Sequence, residues 1–196
     1  TANGVALVAH ITGRISLPLL LVIAWTIGVL AVAAVVRLSA PGTSRALGRR
    51  IAVGAGAAVV ATIVYDVTKA ILSTADPSPY NPFEAVRIFG EILIGTGQPD
   101  ALTRAVGWVF HGVNGITFGV AYSLLFAPSS TRGRAALTGI AWGVFLETFQ
   151  LTLYPGWLNV KFLAEFQTIS FLAHVAFGAA LGLLSRALLL RSRRTA

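Results

Sequence analysis

The chain has 196 residues, 56% of them hydrophobic and only 11% charged, too few polar groups to cover the surface of a soluble domain of that size. Its net charge of +8 comes largely from arginines at the ends of apolar segments, with no basic stripe interleaved with aromatics; this excludes nucleic acid as a partner and favours the lipid bilayer with its anionic headgroups. Cysteine and methionine are both absent, which excludes disulfides, thiolate metal sites and thioether copper ligands.

The first 14 residues lack the basic start that a signal peptide needs. A membrane span requires roughly 20 predominantly apolar residues, and five stretches meet that requirement, at about 15–36, 51–72, 105–127, 135–154 and 168–190. The first carries Pro18 in its opening turn, where the missing amide proton is least costly. The expected fold is therefore all-α, a single transmembrane domain of five spans over residues 1–196. No internal repeat is visible, which argues against an inverted-repeat transporter.

Charge gives the direction. Arg37, Arg45, Arg49 and Arg50 lie between spans one and two, Arg132 and Arg134 between three and four, and Arg186, Arg191, Arg193 and Arg194 at or after the end of span five. Cytoplasmic loops retain such residues, so the amino terminus is expected outside and the carboxyl terminus in the cytoplasm. All seven acidic residues fall at or toward the other face.

The connection at 73–104 begins Asp76-Pro77-Ser78-Pro79-Tyr80-Asn81-Pro82, whose prolines forbid a regular helix. Beyond it Phe83, Val86, Ile88, Phe89, Ile92 and Leu93 recur at near-helical spacing. This predicts a short amphipathic helix lying on the outer surface as a cap, ended by Gly95 and Gly97. Small residues four apart, Gly115 and Gly119, Gly139 and Gly143, Gly178 and Gly182, mark seams at which helices approach closely, and predict that spans three, four and five form one tight unit.

Ionisable residues inside spans are costly and usually face the bundle interior. His111, Glu147, His174 and Asp66 each lie six or seven residues from the outer end of a span, roughly 9 Å deep at 1.5 Å per residue, in a single polar layer. His111 leads a stripe with Asn114, Gly115 and Phe118; Glu147 shares a face with Gly143 and Gln150; His174 lies on the Gly178 stripe with Ser170 one turn outward. His111, Glu147 and His174 are expected to meet. Asp66 and Lys69, three apart, are expected to pair with each other, with Lys69 snorkelling to the outer surface.

Several chemistries suit that layer. Its members satisfy one another as a buried network that fixes helix register. Two imidazoles and a carboxylate also form a ligand set for zinc or iron, with Asp66 or Asn114 in support. Two histidines at matched depth suit a b-type haem and with it a membrane enzyme or electron carrier. Alternatively His111, Asn114, Glu147, Gln150, His174 and Asp66 bind a small or lipid-like ligand, or the protein serves as an accessory subunit of a membrane-protein partner or a homo-oligomer. No nucleophile elbow, P-loop or HExxH is present to favour an enzyme.

His111 followed by Phe118 and Tyr122, the Gly139 helix carrying Glu147, the Pro155-Gly156 turn, and His174 before Gly178 together give a likeness. From Gly107 to the carboxyl terminus the chain resembles the YagU-type family of small bacterial inner-membrane proteins, whose members have no established activity. The Asp76-Pro77-Ser78-Pro79 segment resembles the corresponding loop of that family. The resemblance implies a multi-pass protein of the bacterial inner membrane, with histidine at the position of Glu147 in some relatives. A lesser likeness links Glu147-Thr148-Phe149-Gln150 and the glycine-spaced last helix to the VanZ-type membrane proteins.

Overall fold

A computed structural model describes residues 2–13, 15–77, 81–126, 131–153 and 163–194. Among them every regular element is helical: α1 Ala2–Thr12, α2 Leu17–Leu38, α3 Pro41–Ala75, α4 Glu84–Ile94, α5 Asp100–Leu125, α6 Arg132–Leu153 and α7 Leu163–Arg194. Three helical stretches are long and apolar enough to cross a membrane: Leu17–Leu38, Pro41–Ala75 and Phe166–Arg191. The Pro155-Gly156 turn, Tyr154, Trp157, Lys161 and the Ser78-Pro79-Tyr80 part of the proline segment lie outside the described residues.

Helix α3 is the hub, which the glycine pattern alone did not predict. It carries small residues at Gly54, Ala57, Ala58 and Ala61, all buried. Helix α5 lays its glycines on this stripe: a Cβ on Gly119 would run into Ala58, and one on Gly115 into the Thr62 side chain. Small residues facing small residues bring two backbones together where lipid supplies no hydrophobic drive. The expectation that α5 joins α6 and α7 in one unit is thus corrected, because α3 presents the complementary surface. The α6–α7 seam does form as its glycines suggest. Added Cβ atoms at Gly139 and Gly178 would each overlap the other's carbonyl oxygen, and one at Gly143 would overlap that of His174. Helices α5 and α6 meet through aromatic rings, Tyr122 and Phe126 lying 6.4 and 5.9 Å from Trp142.

Arg50 of α3 donates to the carbonyls of Ser123 and Leu124 at 3.5 and 3.3 Å, satisfying acceptors that the last turn of α5 leaves without intrahelical partners. Helix α3, at 35 residues, extends roughly 50 Å. It is therefore longer than the expected span at 51–72, and its first turns carry Arg45, Arg49 and Arg50.

Helix α4 is amphipathic as read, and Gly95 and Gly97 follow it with φ of 88° and 87°, a backbone that side chains rarely adopt. Asn81 starts it, its Oδ1 accepting from the Phe83 amide at 3.0 Å. The connecting segment is shorter than 73–104 because α3 persists to Ala75 and α5 begins at Asp100. Phe89 is 8% exposed and lies 5.0 Å from the Phe110 ring, and Cβ atoms on Gly90 and Gly107 would strike the backbone of Thr103 and Val86. Helices α4 and α5 therefore form a close hairpin. Replacing Phe89 by aspartate puts a carboxylate in that contact, and limited proteolysis should then cut between Asp76 and Pro99 about tenfold faster, the change that a loss of roughly 1.4 kcal/mol of docking would give.

Helix α1 carried no signal in the charge or glycine pattern. Ala6 and Leu7 are buried, at 1% and 2% exposure, in an apolar cluster with Leu17, Phe89, Phe110, Phe166 and Ile169. It closes the bundle on the side of α4 and of the first turns of α5 and α7.

Candidate functional site

Two imidazole–carboxylate pairs stand on either flank of one tyrosine. His111 Nε2 of α5 lies 2.9 Å from Asp66 Oδ1 of α3. His174 Nδ1 of α7 lies 2.8 Å from Glu147 Oε2 of α6. Tyr65, between Asp66 and the core on α3, holds ring contacts with both imidazoles, at 5.7 Å to His111 and 4.8 Å to His174. The depth argument thus brings all four ionisable residues into one layer. Glu147 and His174 meet as expected, while His111 pairs with Asp66 instead of with them.

Glycine packing explains the second pair. Gly143 rests on the backbone carbonyl of His174, so Glu147, one turn along α6, reaches the imidazole. Its carboxylate is fully buried at 0% exposure. His174 Nδ1 also lies 2.9 Å from the Ser170 carbonyl oxygen. With two acceptors beside it, Nδ1 carries the proton, which leaves Nε2 for other contacts.

Ser170 joins the pair to α3. Its Oγ donates to Glu147 Oε2 at 3.1 Å and accepts from Gln150 Nε2 at 3.0 Å. Tyr65 Oη lies 3.5 Å from the same Oγ, and Lys69 Nζ donates to Tyr65 Oη at 3.4 Å. Donors therefore run in one direction, from Lys69 through Tyr65 and Ser170 to the Glu147 carboxylate. This order is not that of a nucleophilic serine, which would donate to the imidazole while the acid held the opposite ring nitrogen. Here serine and histidine both address the carboxylate.

Lys69 corrects another expectation. It neither pairs with Asp66 directly nor snorkels; it is 4% exposed, with Nζ 5.2 Å from the Phe166 ring centre and 5.5 Å from that of Tyr65. The amine stays inside because two π faces and a phenol oxygen take the place of water around it.

Among the described residues no group of three or more His, Cys, Asp or Glu side chains could hold a metal ion. The expected set of His111, Glu147 and His174 is divided into two pairs, Glu147 with His174 and His111 with Asp66. A b-type haem clasped by both histidines does not fit either, since the Tyr65 ring is packed against the two imidazoles that would have to face the macrocycle.

What the layer does frame is a cavity of about 100 Å³, with Thr62, Tyr65, His111, Asn114, Gln150 and His174 at its polar side and Leu7, Phe89, Phe118, Leu146, Phe149 and Phe177 lining the rest. Asn114 Oδ1, Glu147 Oε1 and Thr62 Oγ1, the last packed against Gly115 in the α3–α5 seam, are buried without a hydrogen-bond partner in the protein. A smaller cavity of about 50 Å³ lies under α4, reached by Asp66, Lys69, Phe83 and Phe89, and shares Tyr65, His111 and Gln150 with the first. Of the residues expected here, His111, Asn114, Gln150 and His174 line the larger cavity, Asp66 lines the smaller, and Glu147 supports His174 from behind. Thr62, Tyr65 and Lys69 went unassigned, although Ala58, Thr62, Tyr65 and Lys69 follow one face of α3 at spacings of three and four, a polar stripe inside an apolar span. Comparison with protein-family models, with curated proteins and with solved structures finds no match for this chain.

Proposed function

We propose that this is a five-span protein of the bacterial inner membrane that binds a small or lipid-like ligand, without turning it over, in the polar cavity of its outer leaflet. The observation that carries the binding reading is the cavity itself. It collects His111, Asn114, Gln150 and His174 from three helices, and it leaves Thr62 Oγ1 and Asn114 Oδ1 buried and unpaired. Such atoms cost about 1–3 kcal/mol each unless something completes them. A ligand supplies that completion, and the directional chain from Lys69 to Glu147 holds the imidazoles in place meanwhile.

Five spans follow if α5 and α6 cross beside α2, α3 and α7. They are less apolar because their buried faces carry glycines and the site residues, as expected of helices packed on helices. The inner-membrane assignment rests on the likeness to YagU-type proteins, and α4 is then an outer cap at the interface. The amino terminus is outside by the arginine distribution. Cysteines introduced singly at Ser44 and Gln98 test this: an impermeant thiol reagent on intact cells is expected to label only the Gln98→Cys variant. Labelling at Ser44 reverses the orientation.

Native mass spectrometry of the protein extracted from its membrane tests the binding reading. The wild type is expected to carry a molecule of defined mass that the Asn114→Leu variant lacks, while the variant unfolds at a similar temperature. A wild type free of any retained molecule would leave the cavity as packing only. A role as accessory subunit would show instead as a protein partner or second copy in the same spectra.

A further inference from the structure

The geometry points to a single-chain lipid with a hydroxyl head as the ligand, entering the polar cavity sideways from the bilayer along helix α1. This rests on the binding reading above and names its substrate class. Beside the polar cavity lies an apolar groove of about 530 Å³, within the range of roughly 300–1,000 Å³ usual for small-molecule sites. Gly4, Phe118, Leu146 and Phe149 border both spaces, so the two lie side by side. Val5, Val8 and Ala9 of α1 form one wall of the groove, and Trp142 and Phe145 of α6 the other.

Position and direction select a lipid. Val5, Phe145 and Phe149 are 66%, 57% and 37% exposed, so the groove opens where hydrocarbon would be, and water-soluble ligands have no apolar entrance to use. Along α6 it descends from Phe149 to Trp142, about 10 Å at 1.5 Å per residue. With the amino terminus outside, that descent runs from the polar layer toward the bilayer centre. A lipid of the outer leaflet has the same orientation, head outward and chain inward.

Chemistry selects the head. Asp66 and Glu147 each engage one ring nitrogen, so His111 Nδ1 and His174 Nε2 are acceptors when the rings are uncharged. Asn114 Oδ1 is a further acceptor, buried without a partner in the protein. A cavity rich in acceptors takes a donor. Carboxylate and phosphate heads bring only more acceptors and negative charge beside Asp66 and Glu147.

Photolabelling in phosphatidylcholine nanodiscs with hexadecanol bearing a mid-chain diazirine tests the assignment. Labelling is expected to saturate, to fall on peptides of α1 and α6, and to be competed by hexadecanol about tenfold better than by hexadecanoate, the discrimination that one unpaired buried acceptor gives. Val8→Trp, which fills the groove without touching the polar layer, is expected to reduce labelling about tenfold at an unchanged unfolding temperature. Asn114→Leu, with the groove intact, is expected to weaken labelling by the alcohol about tenfold and to erase its preference over hexadecanoate. Labelling that does not saturate, equal competition by hexadecanoate, or indifference to Val8→Trp each overturns the proposal. If a retained molecule is still seen by mass in that case, the binding reading stands and only its lipid class falls.

Discussion

Gly178→Ala is expected to disrupt the α6–α7 pair and lower stability by about 3 kcal/mol, the upper range for overpacking, because the new methyl group has backbone on its far side. A Cβ at Gly178 overlaps the Gly139 carbonyl oxygen and lies 2.9 Å from the Ile140 Cα, and neither can turn away as a side chain would. The helices must separate, and the separation reaches the site through Gly143, which rests on the His174 carbonyl. Gly56→Ala is the matched control. Nothing lies within 4 Å of a Cβ there, and alanine in a helix interior is favoured over glycine by about 0.5–1 kcal/mol. Thermal unfolding in detergent should thus fall sharply for the first variant and hold or rise for the second. Equal behaviour of the two would mean that the seam does not depend on close backbone approach.

Much of this arrangement is legible in the chain, and the parts that are not share a physical reason. Depth can be read because helical rise is fixed: His111, Asp66, Glu147 and His174 were expected in one layer and are found in contact around Tyr65. The Gly139–Gly143 and Gly178–Gly182 stripes found each other because only glycine tolerates that approach. Neighbourhood was harder. Which helix lies beside which depends on complementarity between faces, and the alanines of α3 at 57, 58 and 61 look like ordinary apolar filling until Gly115 and Gly119 are laid against them. The same complementarity changes one pairing: α3 lies against both α5 and α7, and its Asp66 pairs with His111. Lys69 misled for a similar reason. A lysine near a span end normally reaches for water, and only Phe166 and Tyr65 together, brought from two helices, make the inward position tolerable.

Two pairs rather than one cluster is a claim about energy as well as distance. Glu147 is wholly buried and holds both His174 and Ser170, so Glu147→Ala takes the acceptor from the Ser170 hydroxyl and leaves the ring N–H only the Ser170 carbonyl, and breaking a buried pair of this kind costs about 3–5 kcal/mol. The His174→Ala change strands the carboxylate instead. Once one partner is gone, removing the second costs little. His111 pairs with Asp66 and meets His174 across the Tyr65 ring. The measurement that separates the two arrangements is a pair of double-mutant cycles on unfolding free energy, one for Glu147→Ala with His174→Ala and one for His111→Ala with His174→Ala. A coupling of about 1–3 kcal/mol in the first and no more than about 0.5 kcal/mol in the second is the expected result; equal coupling in both, or the larger value between the histidines, would contradict the two-pair site.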